Sequence, residues 1–201
     1  MRTETITREL YKFEELSEAA KERARDWYRE VHEYGWAEEN RESLDAFCKD
    51  FPVKATHWRY DAWNYEIVER ITCDDEISEL TGARLAAYIW NNYRSTITTR
   101  KEYKKGGCYH PGVKVRKSRI VLVENSCPFT GYCADESLLE PIRAFLKAPN
   151  NRQTFGDLLA DCLTAWARDA RDDCAYQISD ECVDESILAN EYEFTADGGR
   201  A

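Results

Sequence analysis

The sequence lacks the motifs on which several large enzyme classes depend. Neither Gly-x-x-x-x-Gly-Lys nor Gly-x-Gly-x-x-Gly occurs, which excludes the phosphate-binding loops of ATPases and dinucleotide enzymes. No serine lies in a Gly-x-Ser-x-Gly turn, and the chain has only three histidines. A cysteine and a histidine brought together by folding, such as Cys127 and His57, remain as an alternative nucleophilic pair. The sequence therefore favours a protein that acts without catalysis.

Long apolar runs are also missing. No segment approaches the ~20 apolar residues that cross a bilayer, and the first residues lack the apolar core of a signal peptide. We therefore expect a soluble protein of the cytoplasm. The eight cysteines of such a chain are expected to stay reduced and to act mostly as small buried hydrophobes.

The composition is that of a folded protein. Hydrophobic residues make up 43% of the 201 residues and aromatic residues 12%, which is enough for a core despite the 33% of charged residues. The pattern of apolar residues predicts an α+β protein with a small antiparallel sheet, a long basic β-hairpin and about six helices. We expect one compact domain over residues 1–201, with 94–125 as a basic hairpin insert and 152–190 as a C-terminal helical segment.

Several helix boundaries follow from local signals. Ser17 and Thr154 each precede an apolar helical pattern and are expected to be N-caps, and a further helix is expected to begin at Ser179. Asp135 is expected to cap a helix that Pro141 bends. Further helices are predicted over Glu38–Asp50 and, without a break, over Glu76–Arg94.

Strands are predicted from residues that alternate between polar and apolar. Val53–Arg59 and Tyr65–Thr72 are expected to form a hairpin. Near the two ends of the sequence, Thr3–Phe13 and Glu191–Thr195 also alternate, and we expect them to pair. We also expect the C-terminal helices to pack back on the N-terminal helix.

A basic segment, Arg94–Arg119, contains nine Lys and Arg against the single acid Glu102, in a chain of net charge −10. It can be a solvated hairpin, pair with acidic surface of its own fold or a second copy, or bind nucleic acid or an acidic partner. Tyr103 and Tyr109 offer rings for base stacking, which favours RNA or single-stranded DNA over duplex. The candidate binding residues are Arg100, Lys101, Lys104, Lys105, Lys114, Arg116, Lys117 and Arg119.

An acidic segment, Asp172–Asp197, contains nine acids and no base. Carboxylates at helical spacing can occupy the cationic groove of a nucleic-acid enzyme, as a mimic of phosphate charge. The alternatives are a solvated acidic face and a site for a divalent cation. The candidate partner-binding residues are Asp172, Asp173, Asp180, Glu181, Asp184 and Glu185.

We expect a chain without cofactors, and the alternative is a chain that binds zinc. Cys108 and His110 lie in the predicted hairpin tip, and Cys127 and Cys133 in the turn that follows. Three thiolates and one imidazole would form a tetrahedral set. The competing interpretation is four ordinary side chains that bind no metal.

Four stretches resemble a known group of proteins. YKFEELSEAAKE (Tyr11–Glu22) and ANEYEFTADG (Ala189–Gly198) resemble the two ends of uncharacterised phage and prophage accessory proteins, some of which carry an antitoxin-like label. LTGARL (Leu80–Leu85), together with Cys127–Cys133 ahead of a Pro-bent helix, is similar to one branch of that group. The resemblance implies an anti-defence protein. The expected function is that of an anti-CRISPR, which binds an effector-type protein or ribonucleoprotein complex and blocks its nucleic-acid groove or its assembly. The alternative is a nucleic-acid-binding regulator that uses the basic hairpin.

Overall fold

The computed structural model describes residues 8–103 and 119–201, with the backbone alone described for 99–103 and 119–124. This part of the chain forms seven α-helices, a short 3₁₀ helix (Phe13–Glu15) and six strands, which confirms the α+β class. The strands form three separate two-stranded sheets, in which β1 pairs with β6, β2 with β3 and β4 with β5. The elements are β1 (Tyr11–Lys12), α1 (Glu18–Val31), α2 (Ala37–Asp50), β2 (Val53–Tyr60), β3 (Tyr65–Ile71), α3 (Asp75–Ser78), α4 (Gly82–Ile97), β4 (Thr98–Tyr103), β5 (Arg119–Glu124), α5 (Ala134–Lys147), α6 (Phe155–Gln177), α7 (Asp180–Ala189) and β6 (Glu193–Phe194).

The contacts of the chain group into two units. The first unit combines the chain up to Trp36 with Tyr60–Asn64 and Ala170–Ala201, and the second comprises Ala37–Arg59 and Tyr65–Asp169. The expectation of one compact domain over 1–201 stays a prediction. No helix in the described ranges is long and apolar enough to cross a membrane.

The core of the first unit lies between α1 and α7. Ala20 and Ala24 of α1 and Val183 and Ile187 of α7 are buried, and Phe194 of β6 closes the cluster. The small alanine side chains allow α7 to approach α1 closely. Packing of a C-terminal helix on the N-terminal helix was expected and is confirmed.

Both helices of this core begin as predicted. The Ser17 hydroxyl accepts a hydrogen bond from the Ala20 N–H at 3.3 Å, and the Ser179 hydroxyl accepts one from the Cys182 N–H at 3.4 Å. Each cap satisfies an amide that the first helical turn leaves unpaired.

The predicted pairing of the N-terminal and C-terminal segments is confirmed over Tyr11–Lys12 only, and the Thr3–Thr7 part of the predicted strand lies outside the described residues. Tyr11 lies opposite Phe194 in an antiparallel pair, although the strands are only two residues long. The chain then turns at Gly198, whose φ of +89° suits glycine. A Cβ atom at Gly198 would lie 2.1 Å from the Ala20 carbonyl oxygen, so the turn can rest on α1 only without a side chain there.

The second unit has its own core of large apolar side chains. Phe47 and Phe51 stack with their ring centroids 4.6 Å apart, and Trp58 meets Trp166 edge to face at 5.4 Å. The Trp166 indole N–H donates to the Asn40 carbonyl oxygen at 3.0 Å, which satisfies its polar atom inside the core.

The prediction of one helix over Glu76–Arg94 is wrong. The chain forms the single turn α3, which ends at Ser78 with Glu79 as its C-cap, and it starts α4 at Gly82 with a φ of +56°. The Gly82 N–H donates to the Asn150 carbonyl oxygen, and Thr81 forms a β-bridge with Thr154. These partners are far away in the sequence, so tertiary hydrogen bonds override the local helical pattern.

The assignment of Asp135 as a helix cap is also wrong. Its fully buried carboxylate accepts hydrogen bonds from the N–H groups of Phe129, Thr130 and Gly131 at 2.8 to 3.1 Å. The position before α5 is Cys133, which makes no side-chain cap. Asp135 therefore organises the preceding loop and not the helix end.

Candidate partner-binding site

The acids of α7 divide into paired and unpaired groups. Asp184 accepts two hydrogen bonds from Arg25, with 2.7 Å from Nε to Oδ1 and 2.8 Å from Nη2 to Oδ2. This fork geometry is the strongest arrangement of an arginine with a carboxylate. The hydrogen bonds to Asp184 raise the pKa of Arg25 above its ordinary value. Asp184 therefore fastens α7 to α1.

Asp180 is paired in a similar way, one turn earlier. It accepts a hydrogen bond from Arg29 of α1, which also contacts Asp26 at 3.0 Å. The Arg29 Nε–H donates to the Ile178 carbonyl oxygen at 3.1 Å. Two arginines of α1 thus neutralise two of the six acids that the sequence analysis assigned to a partner.

Glu181 and Glu185 are exposed, and their side chains make no hydrogen bond or ion pair within the described residues. They lie four residues apart on α7, so they share one side of the helix. The negative charge of Glu185 raises the pKa of Tyr176. These two carboxylates are therefore the ones on α7 that can meet a partner without breaking an internal pair.

The last two predicted acids lie near the end of α6. Asp172 is exposed and lies 2.6 Å from the guanidinium of Arg171. Asp173 Oδ2 accepts hydrogen bonds from the Tyr34 hydroxyl at 2.7 Å and from Gln177 Nε2 at 3.0 Å. Asp173 is therefore part of an internal network and is only half exposed to solvent.

A groove within the first unit extends this network. It has a volume of about 610 Å³ and is lined by both exposed rings and acids, among them Trp36, Tyr176, Glu33 and Asp173. His32 Nε2 lies 3.1 Å from Gln177 Oε1, which joins the imidazole to the network at the groove. No Lys or Arg lines this groove. It therefore combines aromatic surface with uncompensated negative charge.

The sequence ranges of the two units differ sharply in charge. Those of the first unit contain 19 Asp and Glu against 9 Lys and Arg, a net charge of −10, whereas those of the second contain 19 of each. The whole excess of negative charge therefore lies in the unit that holds α7 and the groove. The basic segment balances the charge of the second unit.

The predicted basic hairpin is seen at its base. β4 and β5 pair antiparallel from Thr98 opposite Glu124 to Tyr103 opposite Arg119, which places Arg100 and Lys101 on paired strands. The remaining predicted residues lie outside the described part of the chain: Lys104, Lys105, Lys114, Arg116 and Lys117.

Half of the predicted zinc set can be located. Cys108 and His110 lie outside the described residues. Cys127 is half-buried and Cys133 is exposed, and burial raises the pKa of Cys127. Among the described side chains of 8–98 and 125–201, no three from His, Cys, Asp or Glu are grouped closely enough to hold a metal ion. A set completed by Cys108 and His110 stays a prediction.

No protein-family model matches the chain, and no curated protein or solved structure matches it either.

The sequence analysis missed the groove because its walls come from opposite ends of the chain. Trp36 follows α1 and Tyr176 closes α6, with 139 residues separating Tyr34 from its partner Asp173. A signal was present in the acidic segment itself, where an aromatic residue, Tyr176, lies between two groups of acids.

Proposed function

We propose that this protein is a non-catalytic inhibitor that binds a cationic surface of a macromolecular complex with its acidic first unit. The observation that carries the proposal is the confinement of the net charge of −10 to the ranges of that unit. A charged patch of one sign accelerates association with a partner of opposite sign and selects against partners of the same sign. The resemblance to phage accessory proteins supplies the target class, a bacterial immune complex of the CRISPR-effector type in the cytoplasm of the host.

The anchoring of α7 supports this proposal. Arg25 and Arg29 hold Asp184 and Asp180, so the helix that carries Glu181 and Glu185 is pinned to α1 by ion pairs as well as by its apolar side. A rigid helix loses little conformational freedom when its carboxylates meet a basic groove. Carboxylates fixed in this way can take the positions of nucleic-acid phosphates on the surface of the target.

A second candidate function rests on the hairpin. The strand pairing of β4 with β5 supports the predicted basic ribbon, and its sequence carries nine bases against one acid. A nucleic-acid-binding regulator would use this ribbon to contact RNA or single-stranded DNA, while the acidic unit would limit indiscriminate binding.

A pull-down from bacterial lysate separates the two functions. Tagged protein is incubated with lysate with and without nuclease, and the bound proteins are identified by mass spectrometry. The inhibitor predicts a defined protein complex that survives nuclease. Loss of every partner on nuclease treatment, with nucleic acid recovered beforehand, would contradict the inhibitor and support the regulator.

Charge reversal assigns the contact to a surface. Replacing Glu181 and Glu185 together by Lys should weaken capture of the complex at least tenfold, because two favourable contacts become repulsive. Glu136 and Glu140 of α5 are a matched control, since they are also exposed and four residues apart. Reversing Lys101, Lys104, Lys105, Arg116 and Lys117 to Glu should abolish binding only if the hairpin is the contact.

A further inference from the structure

We propose that the groove lined by Trp36, Tyr176, Glu33 and Asp173, here called the aromatic–acidic groove, binds an arginine side chain on a basic segment of a partner protein. This inference deepens the proposed function and rests on it. It names one contact within the acidic unit and the chemistry of the group that fills it.

The walls of the groove are suited to a planar cation. Trp36 is 50% exposed and Tyr176 is 51% exposed, which is high for such large rings in a folded chain. A guanidinium stacks on aromatic faces and is more weakly hydrated than an ammonium, so it enters such a groove at lower cost than lysine. The volume of about 610 Å³ accommodates a long side chain together with part of its backbone.

The charge around the groove has one sign. Glu33 and Asp173 line it, and the carboxylates of Glu185 and Glu181 act on the Tyr176 side chain. Both hydrogen bonds to Asp173 go to Oδ2, so Oδ1 accepts none from the described residues. A guanidinium on the two rings would therefore find an acceptor for its N–H groups.

The Asp173 carboxylate that lines the groove is held in place by hydrogen bonds before any ligand binds. Tyr34 and Gln177 hold Asp173, and His32 contacts Gln177 while its ring stacks on Tyr28 at 5.5 Å. A carboxylate that is already oriented loses little entropy on binding. The first unit also contains a contact of the proposed kind, because the Arg200 guanidinium lies 4.8 Å from the ring centroid of Tyr192.

Three blocked peptides test the proposal on the full chain. They are identical except for a central arginine, lysine or citrulline, which has the shape of arginine without its charge. Each is titrated into isotope-labelled protein at low ionic strength and followed by NMR. The arginine peptide should shift the signals of the Trp36 indole N–H and the Gln177 side-chain amide, the lysine peptide should bind more weakly, and the citrulline peptide should produce no shift.

Matched variants locate the binding. Tyr176→Ala should weaken the affinity for the arginine peptide about fivefold to tenfold, which is the range of one partly desolvated cation–π contact. Glu33→Gln, which changes an exposed side chain, should weaken it in the same direction if Tyr176→Ala disturbs the fold. Trp90→Ala is the control, because Trp90 is 40% exposed and belongs to the second unit.

Several outcomes would overturn the proposal. Equal affinity of Tyr176→Ala and Trp90→Ala would mean attraction to the acidic unit in general. Binding of the citrulline peptide, or of a single-stranded oligonucleotide in the same groove, would exclude arginine as the specific ligand. The titration needs no immune complex, so the two experiments are independent. Absence of peptide binding would not change the pull-down result, and a failed pull-down would not change the titration result.

Discussion

Arg25 and Asp184 are 159 residues apart in the sequence and share two hydrogen bonds of 2.7 and 2.8 Å. The pair joins the N-terminal helix to the last helix and leaves both side chains mostly buried. Asp184→Ala should lower the free energy of unfolding by about 1 to 3 kcal/mol, since it removes a charged hydrogen-bonding partner from a partly buried arginine. Urea unfolding followed by circular dichroism measures the change.

Glu185→Ala is the control for that experiment, because Glu185 is the exposed neighbour of Asp184 on α7. It should change the free energy of unfolding by less than about 0.5 kcal/mol. Equal effects of the two substitutions would show that the ion pair adds nothing to the attachment of α7.

A second prediction concerns Gly198. Gly131 and Gly198 both have a φ of +89°, but a Cβ atom meets nothing within 4 Å at Gly131 and lies 2.1 Å from the Ala20 carbonyl oxygen at Gly198. Gly131→Ala should therefore lower stability by about 1 to 2 kcal/mol, through backbone strain alone. Gly198→Ala should lower it further, because the C-terminal turn has to move away from α1.

Hydrogen exchange read by mass spectrometry separates these effects by region. Gly198→Ala should speed exchange in α1 and α7, and Gly131→Ala should not. Unchanged protection of α1 in Gly198→Ala would disprove the close approach of the turn.

The third prediction concerns pH. The Asp157 carboxylate accepts from the Thr154 N–H at 3.0 Å, and the Asp157 N–H donates to the Thr154 hydroxyl at 3.1 Å. The backbone hydrogen bond from Thr154 lowers the pKa of Asp157. A lowered pKa in the folded state means that the ionised carboxylate stabilises the fold above the unfolded pKa of about 3.9, and that this contribution is lost as pH falls.

Asp157→Asn should therefore lower stability by about 0.3 to 1 kcal/mol at pH 7, the usual effect of removing a negative charge from the first turn of a helix. The difference between the two proteins should shrink as the pH falls below about 4. Urea unfolding at several pH values provides the test. A difference that is as large in acid as at neutral pH would contradict a role for the charge.

The fourth prediction concerns thiol reactivity. Cys133 is exposed, whereas Cys162 is fully buried and burial strongly raises its pKa. Burial also raises the pKa of Cys174 to about 11. Because the thiolate is the nucleophile, iodoacetamide near neutral pH should modify Cys133 first among these three and Cys162 only after unfolding. Peptide mass spectrometry measures the order, and early modification of Cys162 would contradict it.

The same samples test the zinc hypothesis. Elemental analysis should find no stoichiometric metal. One equivalent of zinc that protects Cys127 and Cys133 from alkylation, and that is lost in Cys127→Ser, would instead establish a site completed by Cys108 and His110.

The elements set by neighbouring residues were predictable from the sequence. Ser17 and Ser179 cap their helices because the hydroxyl acts within one turn, and the alternation at the C-terminal end correctly predicted the pairing of β6 with β1. The strands of the first hairpin were also placed to within one residue.

The errors arise where a distant partner decides the local structure. Gly82 starts a new helix because its N–H donates to Asn150, and Asp135 turns from the helix to the loop at 129–131. The sequence also could not show which acids of α7 are paired, because Arg25 and Arg29 reach α7 only in the folded chain. The number of acids could be read from the sequence, but the ion pairs that neutralise some of them could not.

The pairing of β1 with β6 has a consequence for synthesis on the ribosome. The second unit has emerged in full once Asp169 has left the exit tunnel, whereas the first unit lacks α7 and β6 until residues 180–194 are made. At typical rates of translation, the interval between the two halves of the first unit is on the order of ten seconds. During that time Leu16, Ala24 and Trp27 have none of their later partners on α7 and β6 to cover them. The apolar side of α1 therefore stays uncovered until α7 and β6 have been made.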